Sequence, residues 1–267
     1  MPAPRQVRLA FGRHADTYDD LTIVQKRVRE KIYALCRHRV ASPRVVVDIG
    51  AGTGKLLKEL ERVYPDALMI PIDAAHGMSL HAQRVTGLSH AVTADAEAIP
   101  LRSGRAGLVI SSSAFQWLDL LDTPFREIHR ILLPGGWFIF SLFGSRTLWE
   151  LRDSYRRAAQ RRNRTDRTRT FPSREDVSAS LLSAGFRVDS LWTECEEEIY
   201  SDVPSLIRAI RGIGANTPRT RAISLAERGV MVDMMDIYRV MYGKNSMIPA
   251  SYEVVYGIAR AMATDTD

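Results

Sequence analysis

The sequence predicts an α/β fold in which helices cover both faces of a doubly wound, seven-stranded, mostly parallel sheet. Three observations predict it. Strand-like and helix-like patterns alternate between residues 44 and 143. The apolar run Val45–Ile49 ends in a turn built on Gly50, Gly52 and Gly54, and a helical pattern follows at once. Asp73 and Asp95 close the next two strand-like runs. A chain of 267 residues holds one large domain. We divide it into an N-terminal helical lid over 1–40 and a main domain over 41–267, with a helical insertion at about 203–245.

The elements follow in order. Leu21, Val24, Val28, Ile32 and Leu35 recur near helical spacing in the N-terminal segment. RVVVDIG is the first strand, β-branched and apolar as a strand buried on both faces should be. GKLLKELERVY is a helix, ALMIPID the second strand, and GMSLHAQRV opens a helix. SHAVTAD and AGLVISSS are the third and fourth strands. LDTPFREIHRIL is a helix stopped by LPGG, and WFIFSLF is the fifth strand. Helical patterns follow at 146–161 and 173–184, and FRVDSLWTECEEEIYSD alternates as a long sixth strand. Residues 203–245 read as helical, and SYEVVYGIARAM is the seventh strand. Ligands of such sheets sit beyond the carboxyl ends of the strands.

Composition narrows the function classes. The chain is 45% hydrophobic and 25% charged, as globular proteins are. Its apolar runs fall far short of the ~20 residues that span a bilayer, and no basic-then-apolar leader pattern opens it. Cys36 and Cys195 form no disulfide framework, and the six histidines have no zinc spacing. The expectation is a cytoplasmic protein with no metal. The net charge is +6, carried mostly by arginine. Ten arginines lie between Arg146 and Arg174 against three acids, Glu150, Asp153 and Asp166. Such a surface suits an acidic partner.

The glycine turn has the form D-x-G-x-G-x-G, not the G-x-G-x-x-G of dinucleotide folds. Asp48 stands where a pyrophosphate would be repelled, and it suits a ligand carrying a positive group. The turn resembles the first motif of class I methyltransferases that use S-adenosylmethionine (SAM). Asp73 lies 23 residues after Gly50, near the spacing of an acid that accepts from ribose hydroxyls. Asp95 is placed to accept from an adenine amino group, with the Ala96 N–H reaching a ring nitrogen. Met78 is a candidate for the ribose and adenine wall. The expected cofactor set is therefore Asp48, Gly50, Gly52, Gly54, Asp73, Met78, Asp95 and Ala96.

Over nearly its whole length the chain also resembles malonyl-[acyl-carrier protein] O-methyltransferases of biotin synthesis. FGRHADTYDDLTIVQ looks like that family's opening, with Phe11, Ala15, Tyr18 and Gln25. FQW, GSRTLWEL, IRAIRGIGAN and GKNSMIPASYEVVYGIAR look like its later segments. Arg211 stands where the family often has lysine, PASY replaces PLTY, and Ala51 replaces a common cysteine. The resemblance implies methyl transfer from SAM to the free carboxylate of malonyl on acyl carrier protein (ACP), an acidic partner for the arginine run.

That substrate suggests further roles. Tyr18, Gln116 and Trp117 are candidates for holding the methyl-accepting carboxylate, and Arg146 and Arg211 for anchoring the substrate. A monomer is expected, with neither nucleic acid nor membrane as partner. The competing readings are a methyltransferase of a quinone-like or sterol-like acceptor, a SAM-binding regulatory protein, and a tRNA methyltransferase. No recognisable RNA module supports the last.

Overall fold

A computed structural model describes residues 23–88, 90–166, 168, 170–212 and 225–262. Seven strands form one sheet in the order β3-β2-β1-β4-β5-β7-β6. They are β1 (Val45–Ile49), β2 (Leu68–Asp73), β3 (Val92–Thr93), β4 (Ala106–Ser112), β5 (Leu132–Phe143), β6 (Phe186–Tyr200) and β7 (Ile248–Ala261). The first five pair in parallel, whereas β7 runs antiparallel to both β5 and β6. The expected mostly parallel, seven-stranded sheet is what the chain forms.

Eight helices are described: α1 (Ile23–Arg39), α2 (Lys55–Leu60), α3 (His76–Thr86), α4 (Asp122–Ile131), α5 (Trp149–Arg161), α6 (Arg174–Ser183), α7 (Val203–Gly212) and α8 (Leu225–Tyr242). Alternate residues of each central strand enter opposite cores, because side chains alternate across a strand. Val46, Leu108, Ile110 and Ile139 pack with Val28, Leu57, Ala158 and Met234 on one face. Val47, Val109, Phe138 and Phe140 pack with Phe125, Ile128 and Val177 on the other. In α1 the buried residues are Val24, Val28, Ile32 and Cys36, one every fourth position.

Several boundaries differ from the sequence reading. The third strand shrinks to two residues, and Ala94 to Pro100 runs as turn and loop. LPGG does not separate helix from strand. Helix α4 ends at Ile131 and Leu132 already pairs with Ala106, the glycines being absorbed in a register shift. The fifth helix begins at Trp149 rather than 146. Residues 144–148 are instead fastened to β7, Gly144 N donating to Glu253 O at 2.8 Å and Leu148 N to Ser251 O at 2.6 Å. The insertion resolves into α7 and α8, and residues 213–224, with most of RGIGAN, lie outside the described residues. The last strand starts three residues early, at Ile248, because β6 extends far enough to pair with it through Tyr200. Among the described residues no helix is long and apolar enough to cross a membrane.

Candidate active site

The carboxyl ends of β1, β2 and β4 open into one cavity, and the glycine turn forms its floor. Gly50 N and Ala51 N both donate to Ile72 O, at 2.8 and 3.0 Å, which pulls the turn over β2. Gly50 has φ +74°, and a Cβ there would lie 2.3 Å from the Ala114 Cβ. Only glycine lets the β1 and β4 ends approach so closely. Gly54, at φ +76°, caps α2, and a Cβ there would meet the Ala82 Cβ at 3.1 Å. Gly54 therefore shapes the turn from behind and does not line the cavity.

Asp73 ends β2 with both carboxylate oxygens engaged. Oδ2 accepts from Gly52 N at 2.9 Å and Oδ1 from Ala75 N at 2.7 Å. A carboxylate oxygen can accept more than one hydrogen bond, so these bonds fix the orientation in which Asp73 meets a ligand. Asp95 follows β3, and its Oδ1 accepts from Glu97 N at 3.2 Å, which orders the loop that carries Ala96. Asp48, Gly50, Gly52, Asp73, Met78, Asp95, Ala96 and Trp117 all line the cavity. Asp48 is 2% exposed, and its Oδ1 has no hydrogen-bond partner among the described residues. Burial, and secondarily the Asp73 charge, push its carboxyl up to about 8.

The other candidates fall elsewhere. Gln116 is 2% exposed and does not line the cavity, its Nε2 donating to Ser113 O at 2.6 Å. It holds the backbone of Ser113, which lines the cavity at the left-handed φ of +55°. Its neighbour Trp117 takes the wall position because the 3-10 turn Phe115–Trp117 points successive side chains apart. Arg146 is exposed beyond β5, its N–H donating to the Glu253 carboxylate at 2.9 Å, and it does not line the cavity. Arg211 is exposed in the last turn of α7 and does not line it either. Tyr18 lies outside the described residues.

Two polar lining residues from the N-terminal helix were not among the expected site residues. Gln25 and Arg29, one helical turn apart on α1, reach the cavity beside Lys55 and Leu56 of α2. The Arg29 guanidinium also lies 3.6 Å from the Glu59 carboxylate. Helix α1 packs over β4, β5 and α2, far from β3 in the strand order. A ligand with its base near Asp95 would therefore present its opposite end to Arg29. Gln25 closes the FGRHADTYDDLTIVQ opening already singled out, whereas nothing local distinguishes Arg29 from the other polar residues of α1. No metal-binding group of three or more His, Cys, Asp or Glu exists among the described residues.

The residues present fit SAM on structural grounds. A cradle at Gly50 admits no side chain, an orphaned buried carboxylate oxygen on Asp48 suits an ammonium, and Asp73 and Asp95 stand at the ends of successive strands.

Comparison with known proteins agrees. Residues 47–140 match the family model described as a methyltransferase domain. A solved structure from Bacillus halodurans C-125, described as a methyltransferase, covers 88% of this chain and 99% of its own, with TM-score 0.63 and 15% identity. Geranyl diphosphate C-methyltransferase from Streptomyces coelicolor, solved with S-adenosylhomocysteine (SAH), covers 87% of this chain and 79% of its own, with TM-score 0.53 and 12% identity. These show the fold. The malonyl-[acyl-carrier protein] O-methyltransferase of Geobacter sulfurreducens is 42% identical over 262 residues, 96% of this chain and 98% of that one. The chain is a SAM-dependent methyltransferase and belongs to the malonyl-[acyl-carrier protein] O-methyltransferase family.

Proposed function

We propose that the protein transfers the methyl group of SAM to the free carboxylate of malonyl-ACP, giving the methyl ester that starts the pimeloyl chain of biotin. One observation carries this reading: the 42% identity extends over 96% of the chain, far beyond residues 47–140 that match the general methyltransferase domain, and so takes in the helices α7 and α8. A quinone-like or sterol-like acceptor leaves that half unexplained.

SAM, when bound, supplies an electrophilic methyl group on a sulfonium. The protein's own residues do the rest by placement. A malonyl carboxylate is ionised at neutral pH and is itself the nucleophile, so no general base is required. The Asp73 carboxylate accepts from ribose hydroxyls, and Asp95 with the Ala96 N–H reads the adenine edge. Asp48 faces the ammonium of the methionine end, and Arg29 with Gln25 holds its carboxylate. Trp117 walls the methyl side and excludes water from the reacting carboxylate. Tyr18 donates to that carboxylate: a neutral donor orients it with less loss of nucleophilicity than a cation would cause. Exposed arginines of the run between Arg146 and Arg174 supply positive charge for the acidic carrier, and the enzyme works as a monomer in the cytoplasm.

The deciding experiment is mass spectrometry of malonyl-ACP incubated with the protein and SAM. A gain of one CH₂ on the acyl group, absent without SAM, is expected. Transfer to no acyl carrier, with SAH still bound, would remove the substrate and leave the fold and cofactor assignments standing.

A further inference from the structure

The described arginines of the basic run do not form a uniform face. Arg152 is half-buried and donates to Ser145 O. Arg162 ties α5 to α8, donating to Asp233 at 2.6 and 3.0 Å. Arg174 pairs with Glu175 on its own helix. The first two serve the fold, and the third is neutralised by its exposed neighbour. Arg156 and Arg157 differ because both bind one carboxylate, the buried Asp153, which also accepts from Tyr242 Oη at 2.6 Å. Two guanidinium groups on one carboxylate leave net positive charge, and their side chains remain 55% and 49% exposed.

Apolar surface lies beside that charge. Tyr242 meets Trp149 edge-on, with ring centroids 5.0 Å apart, and Trp149 is 38% exposed. The next residues turn back into β7, with Lys244 N donating to Met247 O at 2.8 Å and Met247 N to Lys244 O at 2.9 Å. Met247 is 42% exposed, and Lys244 is exposed. An exposed tryptophan and methionine on the same corner as exposed cations is unlike a merely solvated basic face.

Topology puts this corner on the working side of the sheet. Phe143, the last residue of β5, pairs with Val254, so β7 from Ile248 to Glu253 projects past the carboxyl end of β5. The first turn of α5 and the last turn of α8 stand at that same end, the end at which the cavity opens.

We propose that this corner, formed by Trp149, Tyr242, Met247, Arg156, Arg157 and Lys244, is where the acidic carrier protein docks. The inference rests on the carrier-bound substrate proposed above. Carboxylates of the carrier meet the three cations, an apolar contact covers Trp149 and Met247, and the flexible acyl arm crosses the sheet edge into the cavity. Electrostatic complementarity of this kind raises association rate and selectivity and weakens with salt.

The test compares malonyl-ACP with a malonyl thioester of free pantetheine. Two double variants are used: Arg157→Glu with Lys244→Glu, and Lys244→Glu with Met247→Asp. The second spares the buried Asp153 and so guards against misfolding. Both should lower kcat/KM for the carrier substrate by about tenfold or more through KM, while the pantetheine substrate and SAH affinity change by less than about twofold. Raising salt should narrow the gap between wild type and variant. Equal losses on both substrates, or unchanged carrier kinetics in both variants, would overturn the docking site. A gap that persists at high salt would overturn its electrostatic basis. Wild type that methylates neither thioester would instead refute the proposed function.

Discussion

The two halves of the sheet solve different problems. Around β1, β2 and β4 the surface is bare backbone and acid: glycine turn, Asp48, Asp73, Asp95. Around β5, β7 and α5–α8 it is cationic and aromatic, and much of its charge is neutralised internally. The first half must fit a small dipolar molecule closely, and close approach demands missing side chains and fixed acceptors. On the docking proposed above, the second recognises a protein, and recognition across a surface demands exposed charge around an apolar patch. Substitutions in the first half should therefore alter SAH affinity whatever the acyl substrate. Those in the second should alter carrier kinetics alone.

The largest effect expected is at Gly50. Gly50→Ala forces a Cβ to 2.3 Å from the Ala114 Cβ at φ +74°. Left-handed strain of about 1–2 kcal/mol and overpacking of about 1–3 kcal/mol add up to a loss of SAH binding of about a hundredfold or more. Adding Ala114→Gly should restore part of it in calorimetry. No recovery would mean the contact is not what limits the turn.

Next come the two ends of the cavity. Asp73→Ala should weaken both SAH and 5′-methylthioadenosine by about 1.5–3 kcal/mol, since both carry the ribose diol. Arg29→Ala should weaken SAH by about tenfold but leave 5′-methylthioadenosine, which lacks the amino-acid end, almost unchanged. Equal losses for both ligands would make Arg29 a support of α1 through Glu59 rather than a ligand group.

A smaller effect concerns pH. The Asp48 carboxyl is raised from its ordinary 3.8 to about 8, first by burial and then by Asp73. Between those values the native state binds a proton that the unfolded chain does not. The group therefore favours the folded protein at low pH, and that contribution falls as pH rises toward about 8. Melting of the ligand-free protein should decline more steeply from about pH 5 to about pH 8 than in Asp48→Asn. The stabilisation by SAH should grow over the same range, because its ammonium favours the ionised carboxylate. A parallel decline in both proteins would show that Asp48 does not titrate there.

Legibility differed between the halves in the same way. Asp48, Gly50, Gly52, Asp73, Met78, Asp95, Ala96 and Trp117 were all named from sequence, and all line the cavity. Each lies within a few residues of a strand end, so chain position alone brings it to the carboxyl edge. Gln116 and Trp117 show the limit of that logic. They are adjacent in sequence, yet a single 3-10 turn buries one and leaves the other on the wall.

By itself the sequence determined the succession of strands and helices through β5, the glycine turn and the acids that end the strands. These depend on local backbone preferences and on the alternation of apolar runs, which neighbouring residues encode completely. Only the tertiary structure decided that α1 brings Gln25 and Arg29 to the cavity, and that β7 reverses direction between β5 and β6. It alone decided which arginines are neutralised by Asp153, Asp233 and Glu175. Those outcomes turn on contacts between residues far apart in the chain, where the charge and packing partner of a side chain cannot be read from its neighbours.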